Sequence, residues 1–253
     1  MLPAAGLANR IAPLPFSKEV YPVGFRAVGD SVRPKVACHY LLERMRLAGV
    51  RKAYVVLREG KWDIPAYLGD GTIVAIHLAY LMMRLPHGAP YSADQAYPFV
   101  EDALVAFGFP DIIFDPADAF VQLMTRQAAT AADVVVGAFP ARNSQNVDMV
   151  EIDEAGRLRQ IVIKPTVTDL RHTWIIAVWT PTFTRFMHNH LAALEAGRSD
   201  DRRELFVGDV IQAAIDDGLD VEAVVFPNGT YLDIGSPDDL VAAVRDLSHR
   251  PVE

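Results

Sequence analysis

The segment Leu2 to Val23, LPAAGLANRIAPLPFSKEVYPV, breaks at Ala4-Ala5-Gly6 and then carries Arg10 and Lys18 within one loop. Small residues let backbone N–H groups approach an anion closely, and Arg10 adds a fixed positive charge with a phosphate-matching fork. Lys18 adds a second cation. Two cations beside a tight turn suit a triphosphate, clamping the charge that builds up in phosphoryl or nucleotidyl transfer. The same spacing fits an ordinary strand–loop–helix with surface cations equally well. Two carboxylates stand apart from the other acids. Asp111 follows the apolar run Ala103 to Phe109, at a strand end where a doubly wound fold places its ligands. Asp233 sits in Tyr231-Leu232-Asp233-Ile234-Gly235. Mg²⁺ often takes only one or two carboxylates and completes its shell with water and phosphate; each Asp read alone also suits a turn or cap. Lys164-Pro165 closes a β run, where a lysine by itself reads as a surface strand-end residue.

Taken in order, these segments resemble the sugar-1-phosphate nucleotidyltransferases, whose signature is A-A-G-x-G-T-R-x-x-P followed by (P/S)-K-x-x-x-P-V. Gly6, Arg10, Pro13, Lys18, Pro22 and Val23 match, and Ser17-Lys18 resembles the thymidylyltransferase branch. The helix ending at Leu47-Ala48-Gly49-Val50 and the run Leu68-Gly69-Asp70-Gly71 match further segments of that family. The resemblance implies that Arg10 and Lys18 act on the triphosphate, with Ala5, Gly6, Leu7 and Gly88 lining the nucleotide. It implies that Asp111 and Asp233 hold Mg²⁺, and that Lys164 and Asp148 face the acceptor. The implied partners are an NTP, dTTP or UTP in preference, and a sugar 1-phosphate.

Several positions depart from the family pattern. Ala8 and Asn9 stand where the family has Gly and Thr, and the spacing from Arg10 to Lys18 is about two residues shorter. Ile163 replaces the Glu before Lys-Pro, Asp148 the Gly that backs the sugar, and Met83 the Gln that reads the nucleobase. An Ile cannot hydrogen-bond a hydroxyl, and discrimination among polar substrates depends on satisfied buried partners. The alternative reading is therefore a relative that binds nucleotide or sugar nucleotide without turnover. A glycosyltransferase fits less well for want of an Asp-x-Asp pair, and a dinucleotide-dependent dehydrogenase for want of G-x-G-x-x-G after a strand.

The elements that position these residues alternate between short β-rich runs and longer helical ones, as a mainly parallel sheet covered on both faces requires. Strands are expected over 52–57, 73–82, 103–109, 133–139, 173–179 and 221–226, with a hairpin over 149–163. Helices are expected over 36–48, stopping at Gly49, from Asp115-Pro116 to Thr130, from Pro181, over 207–216 and from Ser236-Pro237. Ser92 with Gln95 suggests a capping box. Asp115 and Asp118 read as helix caps, and Asn228-Gly229 as a turn rather than a glycosylation site. Arg198 to Arg203 reads as an exposed loop. The expected fold is α/β, a Rossmann-like three-layer nucleotidyltransferase fold with a mixed, mainly parallel central sheet, in one domain over residues 1–253.

Composition agrees with a well-cored globular chain. It has 253 residues, 51% hydrophobic and 22% charged, with a net charge of −8 and mean hydropathy of +0.15. No Lys/Arg run exists to displace counter-ions from nucleic acid, and no apolar stretch reaches membrane-spanning length. The single cysteine, Cys38, reads as a buried thiol. His172, His188 and His190 read as helix-surface residues rather than metal ligands, and Trp174 and Trp179 as core or pocket wall. The expected location is the cytoplasm, with a homo-oligomer compatible.

Overall fold

The computed structural model describes residues 1–84, 88–197 and 204–249; the loop expected at 198–203 lies outside them. Seven strands form the spine of the central layer: β1 (Leu2–Pro3), β2 (Lys52–Arg58), β3 (His77–Met83), β4 (Val105–Gly108), β5 (Val134–Pro140), β6 (His172–Trp179) and β7 (Val221–Val225). β1 pairs parallel with β2, with Leu2 opposite Val55, and β2 pairs parallel with β3. The Met1 ammonium donates to the Ala106 carbonyl (2.6 Å), and the Gly108 N–H to the Met1 carbonyl (3.4 Å). Those two bonds have the slant of a parallel ladder and join β1 to β4. β6 pairs antiparallel with β4 and with β5, and β7 parallel with β5. The order is thus β3-β2-β1-β4-β6-β5-β7, with β6 alone of these seven reversed. The expected hairpin, Met149–Ile152 with Leu158–Val162, extends the same sheet by pairing Met149 and Val150 antiparallel with the start of β6.

The period-2 pattern of these strands divides the core in two. Along β5, Val135 and Phe139 join one buried cluster while Val134, Val136 and Ala138 join the other. Along β6, Ile176 and Val178 face the first and Ala177 and Trp179 the second. The first face is covered by the helices Ala37–Leu47 and Ala119–Thr130, through Leu41, Leu42, Met45, Phe120 and Leu123. The second is covered by Pro181–Ala196 and Val207–Asp216, through Phe183, Met187, Leu191, Val210 and Ile211. Each fully buried side chain of this size contributes about 1.5–3 kcal/mol, so the three-layer arrangement follows from strands that are apolar on both faces.

Three smaller elements depart from expectation. Pro22–Val28 and Ser31–Val36 form an antiparallel hairpin that the sequence did not signal. Ile112–Asp115 is a strand paired antiparallel with Thr230–Asp233, so Asp115 ends a strand and binds Arg44 (2.9 Å) instead of capping a helix. The helix begins later, at Ala119, after Asp118. Residues 73–76 are not strand: local bonds to the Gly71 carbonyl wind Thr72–Val74 into a short helical turn before β3. Ser92 lies inside the helix Ala89–Asp94, whose start is set by Pro90, and gives its hydroxyl to Met83 Sδ (3.1 Å). His172 is on β6, not on a helix. His188 contacts Asp94 (3.0 Å) and stacks on Tyr97, and His190 stacks on Phe186. Cys38 is buried as expected. Among the described residues no helix is long and apolar enough to cross a membrane.

His39 is 1% exposed, and neither ring nitrogen finds a partner among the described residues. Burial, followed by the Arg26 and Lys35 charges, pushes its pKa down to about 3. Well above pH 6.5 the ring is neutral in both folded and unfolded chains and adds no pH dependence to stability. Between about pH 6.5 and 3 only the unfolded chain takes up the proton, so stability falls with pH by up to about 1.4 kcal/mol per unit. His39→Phe should lose stability less steeply over that window in urea titrations; parallel pH curves for the two proteins would contradict this account.

Candidate functional site

A cleft of about 1390 Å³ opens at the carboxyl edge of the parallel strands. All ten residues singled out from the sequence line it: Ala5, Gly6, Leu7, Arg10 and Lys18 from the first loop, Gly88, Asp111 and Asp233, and Asp148 with Lys164. They reach it because β1, β3 and β4 all end there, while the reversed β6 starts there and contributes Thr173 and Trp174. A crevice outside the carboxyl ends of such strands is where open α/β sheets accept ligands.

The two carboxylates meet through the small ladder. Asp233 pairs with Ile112, and the Ile234 N–H donates to the Asp111 carbonyl (2.9 Å). Each carboxylate carries a cation from the first loop: Lys18 Nζ contacts Asp111 Oδ2, and Arg10 Nη2 lies 2.8 Å from Asp233 Oδ2. Asp233 is held further by the Gly235 N–H on Oδ1 (2.8 Å), and its own N–H donates to Asp239 (2.9 Å). Gly235 is the point of convergence. A Cβ there would lie 2.9 Å from Arg10 Nη2, 2.9 Å from Asp233 Oδ1 and 3.0 Å from Lys18 Nζ.

Burial and charge pull these groups in opposite directions. Burial alone would raise Asp111, but the adjoining Lys18 ammonium outweighs it and holds the carboxyl below its usual range. Asp233 stays above its usual range, first through burial and then through repulsion from Asp111, with Arg10 and Lys18 offsetting part. Burial presses Lys18 towards neutrality, yet Asp111 and Glu19 keep it more basic than an ordinary lysine. Each acid stands in contact with a cation, and together they present a donor set of oxygens alone. That fits a hard divalent ion shared with phosphate and water. Among the described residues no group of three or more metal-ligating side chains occurs, so protein would supply only the two.

Opposite this cluster stands Lys164, in left-handed backbone (φ +41°), with its ammonium 3.7 Å from the centre of the Phe206 ring. Asp148 and Ile163, both departures from the family pattern, pack side by side against Gly208. A Cβ on Gly208 would lie 2.7 Å from Asp148 Oδ2 and 2.8 Å from Ile163 Cδ1. They abut the start of the helix Val207–Asp216, whose dipole favours a carboxylate. Met83 packs against Ala5 and holds the Ser92 hydroxyl. Gly88 (φ +121°) passes so close to the Leu205 carbonyl that a Cβ would lie 2.1 Å from it. Trp174 lines the cleft while Trp179 is wholly core.

Sequence reasoning missed Glu19, Lys61 and Asp63, which support Lys18 from behind. Glu19 is 2% exposed and pairs with Lys61; burial pushes its pKa up, against the pull of Lys61. The only signal was the position of Glu19 next to Lys18.

The family model described as nucleotidyl transferase matches residues 2–250, and the chain belongs to that family. It is 24% identical over 246 residues to a low-salt glycan biosynthesis nucleotidyltransferase of Haloferax volcanii. It is 23% identical over 247 residues to a glucose-1-phosphate thymidylyltransferase of Streptomyces antibioticus. Each alignment covers 96% of this chain, which spans 64% of either relative's length. A Bacillus anthracis protein whose crystal structure contains sucrose superposes with a TM-score of 0.83 at 14% identity, over 100% of this chain and 96% of that one. At that identity the likeness speaks for the fold.

Ala8, where the family has Gly, adopts φ +56°. The loop keeps the left-handed turn, and the alanine Cβ strains it by about 1–2 kcal/mol. Ala8→Gly should relieve that strain, partly offset by the freer unfolded chain. A net gain of about 0.5–1 kcal/mol in chemical denaturation is expected; a loss of stability would show that the loop is not strained there.

Proposed function

We propose that this member of the nucleotidyl transferase family joins an NTP to a sugar 1-phosphate, giving an NDP-sugar and pyrophosphate. The observation that carries the reading is the convergence on Gly235 of the Arg10–Asp233 and Lys18–Asp111 pairs, beside the Ala5-Gly6 turn. The names of the relatives, a glucose-1-phosphate thymidylyltransferase among them, support the same chemistry and favour dTTP, with UTP next, and a hexose 1-phosphate.

The reaction needs no protein nucleophile. An oxygen of the acceptor phosphate attacks the α-phosphorus in line; the new P–O bond forms as the bond to the α–β bridging oxygen breaks, and pyrophosphate leaves with the electron pair. Positioning and charge neutralisation are the whole task of the protein. The Ala5-Gly6-Leu7 turn offers backbone N–H groups to phosphate, Arg10 and Lys18 neutralise the departing pyrophosphate, and Lys164 holds the acceptor phosphate across the cleft. Mg²⁺ bound by Asp111 and Asp233 would neutralise phosphate oxygens and polarise the α-phosphate. Lys18 and Arg10, the present counter-ions of those carboxylates, are the cations available to the triphosphate. Gly88 and Leu7 line the part of the cleft assigned to the base, with Met83 packed behind Ala5, and Asp148 with Trp174 the part assigned to the sugar.

Pyrophosphate release should require Mg²⁺, an NTP and a sugar 1-phosphate together, and should stop when EDTA removes the metal. Asp111→Asn and Asp233→Asn should each lower kcat by about 100-fold or more, as should Arg10→Ala or Lys18→Ala. Lys164→Ala should act mainly on the KM of the acceptor. Nucleotide binding without pyrophosphate release across a panel of five NTPs and several sugar phosphates would replace this reading with that of a binding protein.

A further inference from the structure

Lys18 is the middle residue of a tripeptide that lies against another, Lys61-Trp62-Asp63, and both of its flanks are tied there. On one side the Asp63 carboxylate accepts from the Ser17 backbone N–H (2.6 Å) and from the Ser17 hydroxyl (2.8 Å). On the other the Lys61 ammonium lies 2.8 Å from both Glu19 carboxylate oxygens. The contacts cross in order, 17 with 63 and 19 with 61, so the residue between can only turn its side chain away from the second tripeptide. That side chain points to Asp111. Ser17, Glu19 and Lys61 are all buried, at 9%, 2% and 4% exposure.

Stability alone does not account for such an arrangement. A buried ion pair loses its hydration and is commonly no better for stability than an apolar pair of the same shape. Lys18–Val20 is a single turn of 3₁₀ helix, which has little persistence of its own. A long lysine side chain also gives up much rotamer freedom when held in one place. Geometry must therefore be imposed on Lys18 from outside its own segment, and the two ties are what impose it. Neither Lys61 nor Asp63 lines the cleft, so neither contacts a ligand there.

We propose that Lys61 and Asp63 are positioning residues which, by gripping Glu19 and Ser17, fix the turn that aims the Lys18 ammonium at Asp111 and the phosphate site. The grip is a property of the chain itself; its consequence for turnover rests on the function proposed above. A tether that merely kept the loop folded would loosen the whole region when cut, whereas a positioning grip frees one ammonium.

The test separates these. The full chain is compared with Asp63→Ala, with Asp63→Asn, and with the double variant Glu19→Gln/Lys61→Met, which removes both buried charges together and leaves none unpaired. Each is trace-labelled with acetic anhydride at one pH, and lysine acetylation is read by peptide mass spectrometry, with exposed Lys52 as the reference. Lys18 acetylation should rise several-fold in Asp63→Ala and in the double variant, while Lys35, buried elsewhere at 6% exposure, stays unchanged. Asp63→Asn should remain near the parent, because its amide oxygen still accepts from the Ser17 N–H. In the coupled assay kcat should drop by about 10- to 100-fold in Asp63→Ala, the scale of a reacting group displaced by about 1 Å, with acceptor KM little changed and Asp63→Asn rescuing kcat. Unchanged Lys18 labelling in Asp63→Ala, which leaves in place the Glu19 charge that keeps Lys18 basic, or Lys18 and Lys35 rising together, would overturn the proposal. The expected labelling pattern in a protein that releases no pyrophosphate would uphold the grip and remove the function proposed for the site.

Discussion

Two carboxylates set side by side at the rim of a buried sheet repel each other, and both lose hydration; neither stays ionised there without a cation in contact. That constraint organises the site. The ladder between Ile112–Asp115 and Thr230–Asp233 brings Asp111 and Asp233 together, and the first loop must then deliver Lys18 to one and Arg10 to the other. The demand propagates outward. Lys18 sits on a single helical turn, so that turn is held from behind by Asp63 and Lys61. Gly235 must lack a side chain, because the space its Cβ would fill lies among Arg10, Lys18 and Asp233.

The same cluster explains how one arrangement can serve a highly charged substrate. Among the described residues the two cations of the cluster, Arg10 and Lys18, are each paired with an acid, yet both line the cleft. On the function proposed above, a nucleotide and its metal would replace one set of pairings with another, exchanging charge for charge, which is the condition for effective electrostatic stabilisation. The acceptor side is built differently. Lys164 in left-handed backbone, Phe206 beneath its ammonium, and Asp148 packed with Ile163 on Gly208 make a wall whose shape is set by apolar packing and a helix start. Two departures from the family pattern, Asp148 and Ile163, fall on this wall, where substrate choice would be decided; Ala8 and Asn9 fall in the loop that carries the cations, and Met83 packs behind Ala5.

Much of the scaffold was legible because burial on both faces leaves a strong mark: runs such as Val134 to Phe139 and Thr173 to Trp179 have few alternatives to central strands. The elements that escaped are those whose pattern competes with another reading. Asp115-Pro116 looks like a helix start, and only its partner Thr230–Asp233 makes the preceding residues a strand. The hairpin Pro22–Val36 is interrupted by Pro22 and Pro34 and by Arg and Lys, so it shows little alternation. Ser92 and Gln95 have the spacing of a capping box, but Pro90 had already started that helix.

By itself the chain's order of residues determined the layered α/β architecture, through strand and helix periods, and marked Arg10, Lys18, Asp111, Asp233 and Lys164 through local motifs that each lie within a few neighbours. What it left to tertiary structure were relations between distant segments: which carboxylate each cation meets, that β6 runs against its neighbours β4 and β5, and that Lys61 and Asp63 grip the residues flanking Lys18. Local propensity acts over a few residues along the chain, whereas an ion pair such as Glu19–Lys61 exists only once two elements have been packed together. Lys61 and Asp63 in the run Gly60 to Ile64 look like any polar turn; their role comes from what the fold sets against them.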